Sequence, residues 1–423
     1  MGRVFFVGGS LLDGMNTAVE NVTVVVEGAR ITAVTSGPDL PRPEQQDTVV
    51  RLNGMTLMPG MYSCHFHAAY QDIWFPIEVD VKRPPTYLAY IASRNAKTAL
   101  MAGITGAIGA GSPHDIDVSL RDAINDGVLI GPRLMACSVD MSTSGDMLDH
   151  HPYWLKVHGE GLARICDGPE EFRKAVRHFV KTGVDMIKIY TTAGHGWPGR
   201  NPPMTMSLEE QQAAVSAAHE RGVRIRSHTC TKIAMMTAVQ AGLDIIDHGD
   251  GIDDETIGAM AKAGTILCPS VNVVVDSMMK RRRGEPWPAE MAWVDKAFDV
   301  WCEMLPKATA AGIPILPGDD YGAFFPHGGY AKELGYFVQL GLTPREAVKC
   351  VTRNGAYAMG RLDELGTIEV GKLADLLVVD GDVLSDVRVL QDTDRIKVIM
   401  KNGEFVKNVQ PGDQRSQIGR HAA

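Results

Sequence analysis

The middle of the chain, roughly residues 56 to 362, alternates short apolar runs with amphipathic stretches of helical period. The apolar runs predict strands at 56–63, 104–109, 133–139, 185–191, 223–228, 243–248, 265–269 and 313–318. Between them, segments such as "PEEFRKAVRHFVKTG" and "SLEEQQAAVSAAHERG" carry the apolar stripe of a helix packed on one face. Ser207 and Glu210 stand at capping-box spacing. In "TPREAVKCVTRNG", Thr343 is the cap, Pro344 opens the first turn and Glu346 takes the box position. Strands that alternate with helices over this length predict an α/β fold, a (β/α)8 TIM barrel rather than an open doubly wound sheet. No G-x-G-x-x-G follows an early strand, which argues against a dinucleotide-binding domain.

Both ends have a different texture. "VTVVVEGARITAV" reads as two β-rich runs about a turn at Glu27–Gly28–Ala29. "ADLLVVDGD" and "IKVIMKNGEFVKN" are β-branched runs, and Asn402–Gly403 is a dipeptide favoured in type I′ hairpin turns. Neither end holds enough strands for a stable sheet, so the two are expected to build one small β-sandwich together. The expected plan is residues 1–55 for its first half, 56–362 for the barrel, 363–411 for its second half and 412–423 for a mobile tail.

Composition narrows the partners. With 45% hydrophobic and 22% charged residues the chain is that of an ordinary soluble protein. A net charge of −9 argues against nucleic acid or an anionic membrane surface as the main partner. No apolar stretch approaches the ~20 residues that cross a bilayer, and the N-terminus lacks the apolar segment of a signal peptide. Seven scattered cysteines, without a C-x-x-C pair, fit free thiols in a reducing cytoplasm better than a disulfide framework.

Several predicted strands end in, or contain, residues that a buried parallel strand avoids. The first delivers His65 and His67, one residue apart and therefore on one face. The fourth carries Lys188 among apolar neighbours, the fifth ends at His228, the sixth at His248 and the eighth at Asp319 and Asp320. Each alone has a plain structural explanation: a hydrogen-bonded histidine, a lysine snorkelling to the rim, a solvated turn. Together they bring imidazoles, an amine and a carboxylate to one mouth of the barrel, and imidazole and carboxylate suit zinc or a similar divalent ion. An amine desolvated near two cations would lose its proton and could take up CO₂ as an anionic carbamate bridge.

This constellation resembles the amidohydrolase superfamily of metal-dependent hydrolases. "LMPGMYSCHFH" is similar to its HxH motif, "DMIKIYTTAG" to its carboxylated-lysine strand, "SHT" and "DHG" to its later histidine strands, and "GDDYG" to its strand-eight aspartate. The C-terminal "LGTIEVGKLADLLVVDGD" resembles the branch of imidazolonepropionase-like proteins and metal-dependent prolidases. The resemblance implies two divalent ions, zinc being expected, with His65, His67, Lys188 and Asp320 on one, and carboxylated Lys188, His228 and His248 on the other. It implies hydrolysis of an amide, carbamate, urea or peptide-like C–N bond, with Asp320 as catalytic acid and base. Asp319 falls where relatives carry threonine, and strand alternation sends it to the side opposite Asp320. Two other readings are hydrolysis of a heterocycle, by a cyclic-amide hydrolase or by a deaminase, the deaminase leaving Lys188 without a purpose, and a barrel that binds without turnover. The expected partner is a small amide-type substrate, and by analogy the assembly is a homo-oligomer.

The pattern is broken in places. Relatives often have aspartate at the position of Ser63; "TGAIGAGSP" replaces a charged "VRD" stretch, and "STSGDMLDHHPYW" (142–154) replaces a Gly-Gly-His-Gly stretch. Such loops set specificity on this scaffold. Position alone nominates His150, His151, Tyr190, His195 and His327 as substrate contacts, Tyr190 foremost because it shares a face with Lys188. "KRRRGEP" (280–286) reads as a solvated face from which an arginine could hold a substrate carboxylate.

Overall fold

The structure, a computed structural model, describes residues 2–15, 18–36, 42–73, 75–152, 154, 161–194, 202–285, 294–323 and 325–409. The expected tail at 412–423 lies outside them. No helix among the described residues is long and apolar enough to cross a membrane.

Residues from both ends form two sheets. One has four strands in the order Arg30–Ser36, Val22–Glu27, Val4–Val7, Thr48–Arg51. The other has six, in the order Glu404–Asn408, Ile396–Lys401, Leu376–Val379, Thr56–Pro59, Ser10–Leu11, Val19–Glu20. Phe6, Val24 and Val50 from the first share one apolar cluster with Leu57, Leu376, Val398 and Met400 from the second. The Asn402–Gly403 turn joins an antiparallel pair, with φ of 53° and 75° at its two residues, the left-handed pair that a type I′ turn needs.

Between the ends runs a series of parallel strands alternating with helices. We number them β1 (Met61–Phe66), β2 (Ile104–Gly109), β3 (Cys137–Ser142), β4 (Met186–Tyr190), β5 (Arg224–Thr229), β6 (Ile245–His248) and β7 (Ile266–Cys268). Every residue of β1 to β4 is buried, as in strands covered on both faces. The parallel strands fall into two sheets. In one, β2 lies between β1 and Arg133–Met135; in the other, Ala163–Ile165, β3, β4, β5, β6 and β7 follow in that order. The expected strand 133–139 is therefore divided at Ala136, its first part pairing with β2 and its second with β4. The expected strand 313–318 contributes a bridge from Ile315 to Leu267 and a hydrogen bond from Cys64 N–H to the Pro317 carbonyl, 3.0 Å.

The expected strand 56–63 is also two pieces. Thr56–Pro59 pairs with Leu376–Val379 in the terminal sheet, and β1 begins one residue later in the parallel sheet. Gly60 makes the passage: a Cβ there would stand 1.9 Å from Thr105 Oγ1 on β2. The predicted caps are present, with reciprocal Ser207–Glu210 and Thr343–Glu346 boxes opening the helices Leu208–His219 and Pro344–Lys349. These boxes satisfy main-chain donors left unpaired at a helix start.

Candidate metal centre

The strand ends converge. The His65 and His67 rings lie 5.1 Å apart, His65 and His248 5.2 Å, and His228 and His248 4.3 Å, measured between centroids. Asp320 Oδ1 stands 3.3 Å from His67 Nε2 and 3.7 Å from His65 Nε2. His65, His248 and Asp320 each offer a donor atom within 4.8 Å of the others. Two of the three hold left-handed backbone, φ 66° at His248 and 50° at Asp320, conformations that β-region strand residues avoid and that cluster at functional sites.

The His65 imidazole is held in the form that donates a lone pair. Burial pushes the His65 pKa well below its usual value, and the nearby cations Lys188 and Arg226 push the same way. His67 Nδ1 lies 3.1 Å from the Gly111 carbonyl, which can only accept, so the proton sits on Nδ1 and Nε2 faces Asp320. Gly111 is at φ 127°, and a Cβ there would collide with Asp140 at 2.2 Å. Neutral imidazoles beside a carboxylate are a fitting donor set for a divalent ion. His65 also stands within 4.8 Å of Asp247 and Cys268, measured between donor atoms.

Lys188 lies below this ring of groups, fully buried, its Nζ 2.6 Å from Asp247 Oδ2. Arg226, also fully buried, donates to both oxygens of the same carboxylate and to the carbonyls of Cys64 and Gly109 at 2.7 and 2.9 Å. Burial raises the Asp247 pKa, but the two cations outweigh it and hold the carboxyl below its usual range. Asp247 Oδ1 is also 3.8 Å from His65 Nδ1, so one carboxylate connects Lys188, Arg226 and a candidate ligand.

Sequence reasoning passed over Asp247, Arg226 and Asp140, although the signal that selected Lys188, a charge inside a buried strand, marks all three. Asp140 pairs in register with Lys188, and burial pushes its carboxyl up to about 8.

Among the nominated substrate contacts, Tyr190 reaches the centre. Its ring stacks on His228 at 4.5 Å and 6°. Tyr70, not nominated, stacks on His67 in the same way at 4.2 Å and 1°. His327 is one layer behind, its ring nitrogens 2.7 Å from Tyr330 Oη and 3.2 Å from the Tyr70 carbonyl. His150 and His151 meet edge to face, and His150 Nε2 lies 3.4 Å from Asp80. His195 lies outside the described residues. In the 280–286 stretch, Arg281 pairs with Asp295 at 3.2 Å and Arg283 with Glu285 at 2.5 Å. Asp319 and Asp320 have different partners, although neither lies in a strand: Asp319 is buried and accepts from Ser63 Oγ at 3.0 Å, while Asp320, at φ 50°, stands by His67 and His65.

The α/β scaffold of parallel strands aims imidazoles and a carboxylate at one point, and the family that the sequence matches makes the chain a hydrolase acting on C–N bonds. The chain belongs to the amidohydrolase family, whose model matches residues 56–406. Ochratoxinase from Aspergillus niger is 26% identical over 94% of this chain and 85% of that enzyme. An imidazolonepropionase from Fusobacterium nucleatum is 27% identical over 47% of this chain and 45% of its own. Among solved structures, a Xaa-Pro dipeptidase with bound methionine superposes with a TM-score of 0.85 at 28% identity, covering 96% of this chain and all of that one.

Proposed function

We propose that this protein is a binuclear metal-dependent hydrolase that cleaves an amide-type C–N bond in an N-acyl amino acid, dipeptide, carbamate or urea. The observation that carries the reading is the His65, His248 and Asp320 cluster, with Lys188 one carboxylate away from it. His65, His67, Lys188 and Asp320 would hold one ion, and Lys188, His228 and His248 the other, zinc being the ion this donor set suits. Bound there, the ions would lower the pKa of water toward neutrality and polarise the scissile carbonyl. Carboxylation of Lys188 Nζ would exchange an ammonium for an anion able to serve both sites. Asp320 would take the proton from the attacking water and hand it to the departing amine. Tyr190, packed on His228, presents a phenol to the substrate side, and burial keeps that phenol protonated, so it can donate.

The scaffold we propose is a (β/α)8 barrel of residues 56–362, supported by the hydrogen bonds that Pro314, Leu316 and Pro317 make to the strands on either side. The two terminal sheets would be its accessory β-sandwich, supported by their common apolar cluster. The Xaa-Pro dipeptidase likeness favours a dipeptide within the substrate class. The imidazolonepropionase likeness favours, as a second reading, hydrolysis of a heterocycle. A cytoplasmic homo-oligomer is the state of assembly that accompanies this proposal.

The test is mass spectrometry of products from a mixed panel supplied with zinc: N-acyl amino acids, dipeptides, aryl carbamates, ureas and aminated heterocycles. Addition of water with release of an acid and an amine is the expected result. Release of ammonia from a heterocycle, with the amides untouched, would replace the first reading with the second.

A further inference from the structure

We propose that Asn272 and Glu333 are positioning residues for Asp320, a role that rests on reading Asp320 as the proton carrier. Asp320 occupies left-handed backbone at φ 50°, a conformation that a residue with a side chain keeps only when its surroundings impose it. The turn that carries it is gripped by buried side chains from elements on either side. Asn272, in the helix Val271–Arg282, donates from Nδ2 to the main-chain carbonyl of Asp319. Glu333, in the helix Lys332–Gln339, accepts from the Gly318 N–H at 3.4 Å and from the Asn272 N–H at 3.1 Å. Glu333 therefore holds the turn directly at Gly318 and also holds the residue that grips Asp319. Ser63, from β1, completes the grip by donating to the Asp319 carboxylate at 3.0 Å.

Asn272 and Glu333 are both fully buried, and Asp319 is 1% exposed. A buried acidic side chain is costly to retain, and Glu333 is spent on two main-chain donors, one of them two residues before Asp320. A helix N-terminus that needed a partner could be capped by a local Ser or Asp; Glu333 instead joins that helix start to the catalytic turn. The separation of Asp320 from the His67 and His65 nitrogens, 3.3 and 3.7 Å, is thus set by groups that touch neither substrate nor ion.

The experiment compares Asn272→Ala, Glu333→Gln and Asp320→Asn, alone and combined, in the full chain. The first readout is turnover of the amide found in the product panel. Each positioning variant is expected to lower kcat about 10- to 100-fold, the scale of a small misplacement of a reacting group, with KM and metal content unchanged. In the Asp320→Asn background the same substitutions should have no further effect, because they act only through that carboxylate. The second readout needs no substrate: the visible absorption of the Co²⁺-loaded protein should shift with Asn272→Ala in the same direction as with Asp320→Asn. Unchanged kcat and unchanged absorption would overturn the proposal. So would an equal fall in kcat in the Asp320→Asn background, or loss of folding in both positioning variants, which would assign the grip to stability. If no amide is turned over but the absorption shifts, the reaction reading fails and the positioning role stands.

Discussion

The ammonium of Lys188 lies 2.6 Å from the Asp247 carboxylate, and Arg226 holds the same carboxylate from the neighbouring strand. Two cations thus share one anion in a fully buried space. Removing that anion strands both. Asp247→Asn is expected to destabilise the metal-free protein by about 3–5 kcal/mol, the scale for breaking a buried ion pair from one side. Urea unfolding would measure it, and an unchanged midpoint would show that the cations are solvated rather than paired.

Lys188 has a second expected use. Lys188→Ala should lose both bound metal and activity, and a small carboxylate such as acetate should restore part of each by occupying the vacated space. Metal content by mass spectrometry of the dialysed protein separates the two effects. Full activity in the variant with nothing added would remove the bridging role.

Asp320→Asn keeps the shape of the side chain and removes its capacity to carry a proton. Turnover is expected to fall about 10²- to 10⁴-fold, the usual contribution of a general acid and base, while metal stays bound. Retained turnover would transfer proton carriage to another group.

His327 gives a pH dependence. Burial pushes its pKa down to about 3 in the folded chain, against about 6.5 for an exposed histidine. Between those values the unfolded chain binds a proton that the folded chain refuses, so stability falls as pH drops from 6.5 toward 3. The slope from this group reaches about 1.4 kcal/mol per pH unit. Urea midpoints of the metal-free protein at pH 7, 5.5 and 4.5 should decline less in His327→Gln than in the parent. Parallel declines would place His327 in contact with water.

Much of this was legible in the chain itself because burial and polarity conflict at only a few positions. Lys188, His228 and His248 interrupt apolar runs, and a buried strand tolerates such residues only when they are paired or functional. The same rule, applied evenly, also marks Arg226, Asp140 and Asp247, the last of them inside the "DHG" that drew attention to His248. Other features depend on contacts distant in sequence. Nothing within "LMPGMYSCHFH" shows that the chain changes sheets at Gly60; the Thr105 side chain packed against that glycine decides it. The Ser63–Asp319 hydrogen bond is of the same kind. Ser63 looks ordinary in the sequence until Asp319, far along the chain, is found facing it.

The switch of sheets at Gly60 bears on how the protein is made. Thr56–Pro59 runs antiparallel to Leu376–Val379, and the Gly60 N–H bonds to the Asp375 carbonyl at 2.8 Å, so the base of the His65 strand rests on residues near the far end of the chain. During synthesis the first ligand pair emerges early, but its footing, Asp375 to Val379, is translated after every candidate ligand. A chain cut short by a premature stop would carry every one of the candidate ligands and still lack the support beneath two of them. The terminal sheet thus ties the seating of the His65 strand to a segment made only after all of the candidate ligands.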